Sequence, residues 1–302
     1  MRILVTGREG QVARSLAERA APPEIEIVTL GRPELDLAGP ADAIFAAVEG
    51  AEPDVIVAAA AYTQVDRAES EPELAFAVNE LGAAAVARAA SRLGVPLIYL
   101  STDYVFDGTK PEPYVEQDVP KPASVYGASK LAGERAVLAE NADTAVLRTA
   151  WVYSPFGGNF VKTMLRLAGE RDEVAVVADQ RGNPTSALDI ADAVLLVAAN
   201  LRARSDPGLR GVFHMTAAGQ ASWADFAEAV FEASARAGGA FARTRRISTA
   251  DYPTAAKRPA NSRLDSSRLE QMHGVRLPDW HESLQVVIDR LVQPDAPGAS
   301  NR

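Results

Sequence analysis

Met1-Arg-Ile-Leu-Val-Thr-Gly7-Arg-Glu-Gly10-Gln-Val-Ala13 opens the chain, and its reading decides the fold. The first six residues form a short apolar, strand-like run that enters directly on two glycines. Gly7 permits a tight turn, and Gly10 lets the backbone come close to a pyrophosphate. The small Ala13 allows the following helix to pack on the strand, and the N-terminus of that helix then faces the phosphates. Gly7 and Gly10 are therefore candidates for contact with a dinucleotide. A glycine pattern alone is equally an ordinary turn; the strand before it and the helix after it favour the nucleotide reading.

Working outward, strand and helix alternate as a parallel sheet demands. A helix is expected over 11–20, a strand over 24–30, a helix over 41–48 and a strand over 54–59. One long helix is expected from Glu71 to Leu93, beginning after Ser70 and stopped by Gly94 and Pro96. A strand over 96–101, a helix around Tyr126 and a strand over 144–149 complete a Rossmann-type, doubly wound α/β half. Beyond Trp151 the pattern loosens into helices near 160–168, 187–201 and 223–237. The expected division is a nucleotide-binding domain over 1–150 and a smaller lobe over 151–302, mainly for substrate and partly interwoven with the first. Residues 293–302 read as a frayed tail.

Ser124-Val-Tyr126-Gly-Ala-Ser-Lys130-Leu places a phenol and an ammonium on one helix face. A free tyrosine, with a pKa of about 10, is a poor acid-base group at neutral pH unless a cation favours the phenolate, and Lys130 is such a cation. By itself the pair is also an ordinary solvated helical pair. Upstream, Ile98-Tyr-Leu-Ser-Thr102-Asp103 is an apolar strand that delivers hydroxyls at its end, where ligands of an open parallel sheet sit. Thr102 and Tyr126 can thus meet over one carbonyl. Together with the glycine turn, they predict a nicotinamide redox site.

Composition narrows the partners. The 302 residues are 47% hydrophobic, with a formal charge of −9, which disfavours nucleic acid and anionic membrane surfaces. There is no cysteine, so disulfides, thiol catalysis and thiolate metal sites are excluded. His214, His273 and His281 are scattered without ligand spacing. No signal peptide or membrane-length apolar run is read, and a cytoplasmic protein is expected.

Several longer runs resemble the dTDP-4-dehydrorhamnose reductases, a family of extended short-chain dehydrogenase/reductases. They include Ala59-Ala-Ala-Tyr-Thr-Gln-Val-Asp66-Arg-Ala-Glu-Ser-Glu-Pro72, Ser101-Thr-Asp-Tyr-Val-Phe-Asp-Gly108 and Tyr126-Gly-Ala-Ser-Lys130-Leu-Ala-Gly-Glu134. Arg148-Thr-Ala-Trp151, Asn159-Phe160, Asp179-Gln-x-Gly-x-Pro-Thr185 and Arg258-Pro-x-Asn-Ser-Arg-Leu264 extend the likeness over nearly the whole chain. The resemblance implies reduction of the C4 keto group of dTDP-4-dehydro-L-rhamnose, with hydride from NADPH or NADH. Tyr126 would protonate the alkoxide, Lys130 would hold the nicotinamide ribose and ease the phenol toward ionisation, and Thr102 would donate to the substrate oxygen. Asp103 resembles a sugar-contacting residue, and Trp151 one that packs on substrate or else fills the lobe interface. Gly10, Gln11 and Val12 match the family's pyrophosphate turn, and Asp36-Leu37 matches a position beside the adenine, with a helix cap as Asp36's alternative role. Ala61, Tyr62 and Thr63 match the loop after the third strand. The second strand ends Thr29-Leu-Gly-Arg32 without an acid for a ribose 2′-hydroxyl; Arg32 and Arg8 suit a 2′-phosphate, which favours NADPH, although either is equally a surface arginine.

Three departures limit the likeness. Ala58 stands where relatives carry Asn. Ser15 and Leu188 occupy stretches where some members bind an intersubunit magnesium through carboxylates, so no metal is expected. A homodimer is compatible with the chain. The competing readings are another nucleotide-sugar reductase, an epimerase, or a dehydratase, the last disfavoured because Asp103-Tyr104 follows Thr102 in place of an acidic dyad. From a different class comes a non-catalytic regulatory subunit resembling that of methionine adenosyltransferase, which the intact Thr-Tyr-Lys set disfavours.

Overall fold

The computed structural model describes residues 1–20 and 23–293; the tail expected over 293–302 lies, beyond Gln293, outside them. In chain order, β1 (Arg2–Thr6), α1 (Gln11–Arg19), β2 (Glu26–Leu30), α2 (Ala41–Gly50), β3 (Val55–Ala58) and a single turn, α3 (Val65–Ala68), come first. Next come α4 (Pro72–Phe76), α5 (Ala83–Leu93), β4 (Leu97–Thr102), α6 (Val125–Glu140) and β5 (Thr144–Thr149). The second part holds β6 (Val152–Tyr153), α7 (Phe160–Glu170), β7 (Glu173–Val177), β8 (Arg181–Gly182), β9 (Thr185–Ser186), α8 (Ala187–Ala203) and β10 (Gly211–His214). It ends with β11 (Ala221–Ser222), α9 (Trp223–Arg236), β12 (Arg243–Ile247), α10 (Ser267–His273) and α11 (Trp280–Val292).

Six strands form one sheet in the order β10-β5-β4-β3-β1-β2, and every pairing in it is parallel. Period-two alternation assigns the faces. Ile3, Val5, Val57, Ile98, Leu100 and Leu147 point to one face, where Leu16 of α1 and Ile190, Val194 and Val197 of α8 cover them. Leu4, Ile56, Leu97, Tyr99 and Val146 point to the other, under Ile44 and Val48 of α2, Val86 of α5 and Val137 of α6. Strand order reverses between β1 and β3, the crevice where such sheets bind ligands beyond their carboxyl ends.

Two elements depart from the pattern read in the sequence. The expected single helix over 71–93 is a continuous run whose middle, Ala77–Gly82, is wound as π-helix between α4 and α5. Gly82 closes that stretch against the loop after β2, where a Cβ would lie 2.2 Å from the Leu37 carbonyl oxygen. The other is β10, the edge strand beside β5, which comes from residues 211–214 and was not read as a strand. A separate apolar cluster holds the second lobe together, with Val161 and Met164 of α7, Phe226 and Val230 of α9, and Leu284 and Val287 of α11 at its centre.

Candidate active site

The carboxyl ends of β1, β3, β4 and β5 lie on one edge of the parallel sheet, and the residues singled out in the sequence fall in the turns after its strands or on α1 and α6. Gly7 adopts φ +95°, open to glycine at little cost. Gly10 is the N-cap of α1 and supplies no side-chain cap. A Cβ placed on Gly10 would meet nothing within 4 Å, so the approach to the first turn of α1 and its uncapped N–H groups is open. That is the cradle a pyrophosphate needs. The Gln11 side chain turns the other way: its Oε1 accepts from Ser154 Oγ at 2.9 Å and from Asn159 Nδ2 at 3.0 Å. Val12 packs against the sheet core.

The loop after β2 carries Arg32, which is exposed and has no ion-pair partner among the described residues, whereas Arg8 is paired with Glu34 at 2.8 Å. Asp36 accepts from the Ala38 amide at 3.0 Å in a local turn and does not cap α2, whose N-cap is Pro40. The Leu37 side chain is buried in the core, so only its backbone is free to face a ligand. Ala58 is likewise buried at the end of β3.

Tyr62, in the loop after β3, is held by a residue the sequence reading missed. Asn79, on the π-helical stretch and 1% exposed, accepts from the Tyr62 amide at 2.8 Å and donates to the Tyr62 carbonyl at 3.1 Å and to Ser129 Oγ at 2.9 Å. Ser129 Oγ in turn donates to the Tyr126 carbonyl at 2.8 Å, and the Asn79 carbonyl accepts from Tyr99 OH at 3.1 Å. One asparagine thus ties the β3 loop to α6. The signal that points to it is a polar residue within an apolar helical run, Phe76-Ala-Val-Asn79.

Tyr126 and Lys130 share the face of α6 turned to the sheet. Burial pushes the Tyr126 phenol up to about 12, with the neighbouring Thr102 hydroxyl pulling the other way. This departs from the expectation that Lys130 eases the phenol toward ionisation. The Lys130 ammonium is 2% exposed and donates to Tyr99 OH and to the Leu100 carbonyl, both at 2.7 Å, and burial brings its own pKa down to about 7. Desolvation outweighs the cation here. Tyr104 packs edge-on against Tyr126 at 5.7 Å.

Thr102 ends β4 and donates to Asp103 Oδ1 at 3.1 Å. Asp103 is 2% exposed, burial raises it to about 6, and its Oδ2 has no hydrogen-bond partner among the described residues. Such an orphan acceptor is costly unless something satisfies it. Thr102 pairs in register with Thr149 on β5, two residues before Trp151. Trp151 sits at φ +47°, rare for a large side chain, and stacks on Trp223 with centroids 3.5 Å apart and planes at 4°. Gly182 makes room, since a Cβ there would lie 2.4 Å from the indole. One face of the Trp151 ring is therefore already covered by Trp223 of α9.

Beneath the site, Glu134 of α6 and Arg148 of β5 form a buried forked pair at 2.7 and 2.8 Å, and Ser101 Oγ donates to Glu134. Both side chains are 3% exposed. Removing either partner of such a pair typically costs about 3–5 kcal/mol, because the other charge is stranded; the pair fixes α6 against the sheet. The narrow run Val65-Asp-Arg-Ala-Glu69-Ser-Glu71 brackets the site from outside. Asp66 accepts from Arg258 at 2.7 Å and from the Ala256 amide at 3.1 Å, and Glu69 accepts from the Val125 amide at 2.9 Å, at the start of α6. Glu71 accepts from Tyr62 OH at 2.7 Å.

Ser15 is buried and donates to the Gln11 carbonyl at 2.8 Å, and Leu188 lies in the second apolar cluster. Among the described residues no group of three or more His, Asp or Glu is placed to hold a metal ion.

Comparison with known proteins agrees with this geometry. The model of the RmlD substrate binding domain family matches residues 1–293. The dTDP-4-dehydrorhamnose reductase of Sinorhizobium fredii is 53% identical over 288 residues, 95% of this chain and 97% of its own. A crystal structure of the Clostridium acetobutylicum dTDP-4-dehydrorhamnose reductase superposes with a TM-score of 0.89 at 38% identity, covering 96% of this chain and 99% of that one. The Bacillus anthracis reductase, solved in complex with NADP, gives 0.88 at 36% identity, covering 95% and 98%. With a Rossmann sheet, a glycine cradle and a Thr-Tyr-Lys set at one edge, the chain belongs to the dTDP-4-dehydrorhamnose reductase family.

Proposed function

We propose that this protein reduces the C4 keto group of dTDP-4-dehydro-L-rhamnose to give dTDP-L-rhamnose, with NADPH favoured over NADH. The observation that carries the reading is the agreement of the family match over 1–293 with Thr102, Tyr126 and Lys130 at one sheet edge. The bound nicotinamide supplies the hydride. The open backbone at Gly7 and Gly10 would hold its pyrophosphate, residues 61–63 and the backbone at 36–37 would line its nucleoside halves, and Lys130 would hold a ribose.

Tyr126 is protonated throughout the neutral range, because its pKa lies near 12. It is thus in the form that donates a proton to the oxygen as negative charge develops there, while the Thr102 hydroxyl donates a second hydrogen bond to the same atom. The phenolate left behind is costly in a buried site. Lys130, with a pKa near 7, is poised to return a proton at neutral pH. Asp103 would use its unpartnered Oδ2 to accept from a sugar hydroxyl, and Trp151 would offer the edge left uncovered by Trp223. We place the enzyme in the cytoplasm, acting on a soluble nucleotide sugar; among the described residues no helix is long and apolar enough to cross a membrane.

The test is to follow NADPH oxidation with the 4-keto sugar and identify the product by NMR. Product with the rhamno configuration supports the reading; oxidation only with another nucleotide sugar, or none, overturns it. In the same assay Tyr126→Phe should lower kcat by about 10²–10⁴-fold with little change in NADPH affinity. An unaltered kcat would remove Tyr126 from the mechanism.

A further inference from the structure

Gln11 occupies the turn where a cofactor contact is expected, yet its side chain is committed elsewhere. Oε1 accepts from Ser154 Oγ at 2.9 Å and Asn159 Nδ2 at 3.0 Å, and Nε2 reaches the Val152 carbonyl at 3.4 Å. These partners lie 141 to 148 residues away, on β6 and in the segment that joins it to α7. Asn159 is the hub of that segment. Its Oδ1 accepts from the Lys162 amide, capping α7, while its Nδ2 also donates to the Ser154 carbonyl at 2.8 Å. Ser154 is fully buried and also hydrogen-bonded to Phe156. Phe156 receives Arg14 of α1 over its ring at 4.5 Å. Gly157, at φ +59°, brings its backbone over Gln11, where a Cβ would stand 3.5 Å from Cγ. The segment is thus pinned to the phosphate-facing end of α1 by one side chain with three polar contacts.

We propose that Gln11 is a positioning residue whose side chain bolts the 154–159 segment to the cofactor turn, so that the sheet and the lobe bearing Trp223 are held in one register. A hydrogen-bonded amide suits the task, because one oxygen takes two donors while the backbone of residues 10–12 remains available to phosphate. Loosening this bolt leaves the pyrophosphate cradle intact, since that cradle is backbone. It shifts the lobe wall against which a substrate is aligned. The inference rests on the reductase reading above for its kinetic arm only.

Gln11→Leu keeps the volume and removes the acceptor; Ser154→Ala removes one donor and leaves the cofactor turn untouched. Hydrogen exchange across residues 154–163 needs no turnover and should speed up by about 10-fold or more in Gln11→Leu, as loss of two hydrogen bonds implies. In the kinetic arm, the KM for the 4-keto sugar should rise by about 10-fold in Gln11→Leu while the dissociation constant for NADPH, measured by calorimetry, changes less than about 3-fold. Gln11→Glu, which retains both acceptor bonds, should keep exchange slow. Unchanged exchange across 154–163 in both Gln11→Leu and Ser154→Ala overturns the proposal, as does a loss of NADPH affinity with sugar KM unaffected. Should Gln11→Leu fail to fold, Ser154→Ala alone decides by the same exchange measurement. If no 4-keto sugar is reduced by the native chain, the reductase reading fails and the exchange arm still settles the bolt.

Discussion

Arg8 and Arg32 lie on the turns after β1 and β2, yet their surroundings differ. Arg8 is neutralised by Glu34, whereas Arg32 has no acidic partner among the described residues and stands exposed beyond β2. On the proposed function, a guanidinium at this position would meet the extra phosphate of NADPH. Arg32→Ala should weaken NADPH by about 1.5–3 kcal/mol, the range of a charge-assisted hydrogen bond, and spare NADH. Equal losses for the two cofactors in parallel titrations would dismiss Arg32 as a 2′-phosphate reader. At this scale much of the candidate site's layout is legible in the sequence, because the placement of Gly7 beside Gly10 and of Tyr126 beside Lys130 is set by local spacing. Asn79 is not, since its partners Tyr62 and Ser129 lie 17 and 50 residues away. Nor does spacing reveal that burial, rather than the nearby cation, governs the Tyr126 phenol.

Among the elements, α6 is the one whose placement matters most, and it is held at both ends and along its length. Ser124 caps it by accepting from the Gly127 amide, Glu69 takes the Val125 amide, and Glu134 locks it to β5. A carboxylate at a helix N-terminus is favoured by both the orphan amides and the helix dipole. Glu69→Ala should therefore cost about 1 kcal/mol, lowering Tm by roughly 2–4 °C in a chain of this size. A calorimetric Tm within error of the native value would show that the contact adds nothing. Helix and strand types were readable in the first half because period-two and helical patterns are strong there. The π-helical stretch Ala77–Gly82 was not, since no local spacing marks it off from the helix on either side. Nor was β10: four residues, Gly-Val-Phe-His, carry too little periodicity to announce a strand, and only β5 beside them makes it one.

For the whole molecule, pH tests how the buried polar layer under the sheet is built. His214 on β10 is fully buried 3.5 Å from Arg148, and burial with that neighbouring charge lowers its pKa to about 3. In the unfolded chain it titrates near 6.5. Below that value the unfolded state takes up a proton that the folded state refuses, so this contribution is present above pH 6.5 and is lost as pH falls toward 3. Relative to His214→Gln, the native protein should lose about 2 kcal/mol between pH 7.5 and 5. Urea midpoints that run parallel for the two proteins over that range would contradict a neutral His214. The same strand has a consequence for synthesis. Because the sheet's last strand and the α8 cover of one face come from residues after 186, a nascent chain that has only just delivered β5 offers the ribosome exit an unpaired edge and an apolar face of Ile3, Val5, Val57 and Leu147 with only α1 to cover it. A product truncated before Ala187 should therefore accumulate in the insoluble fraction, and a chaperone that holds emerging chains would be needed longest over that interval.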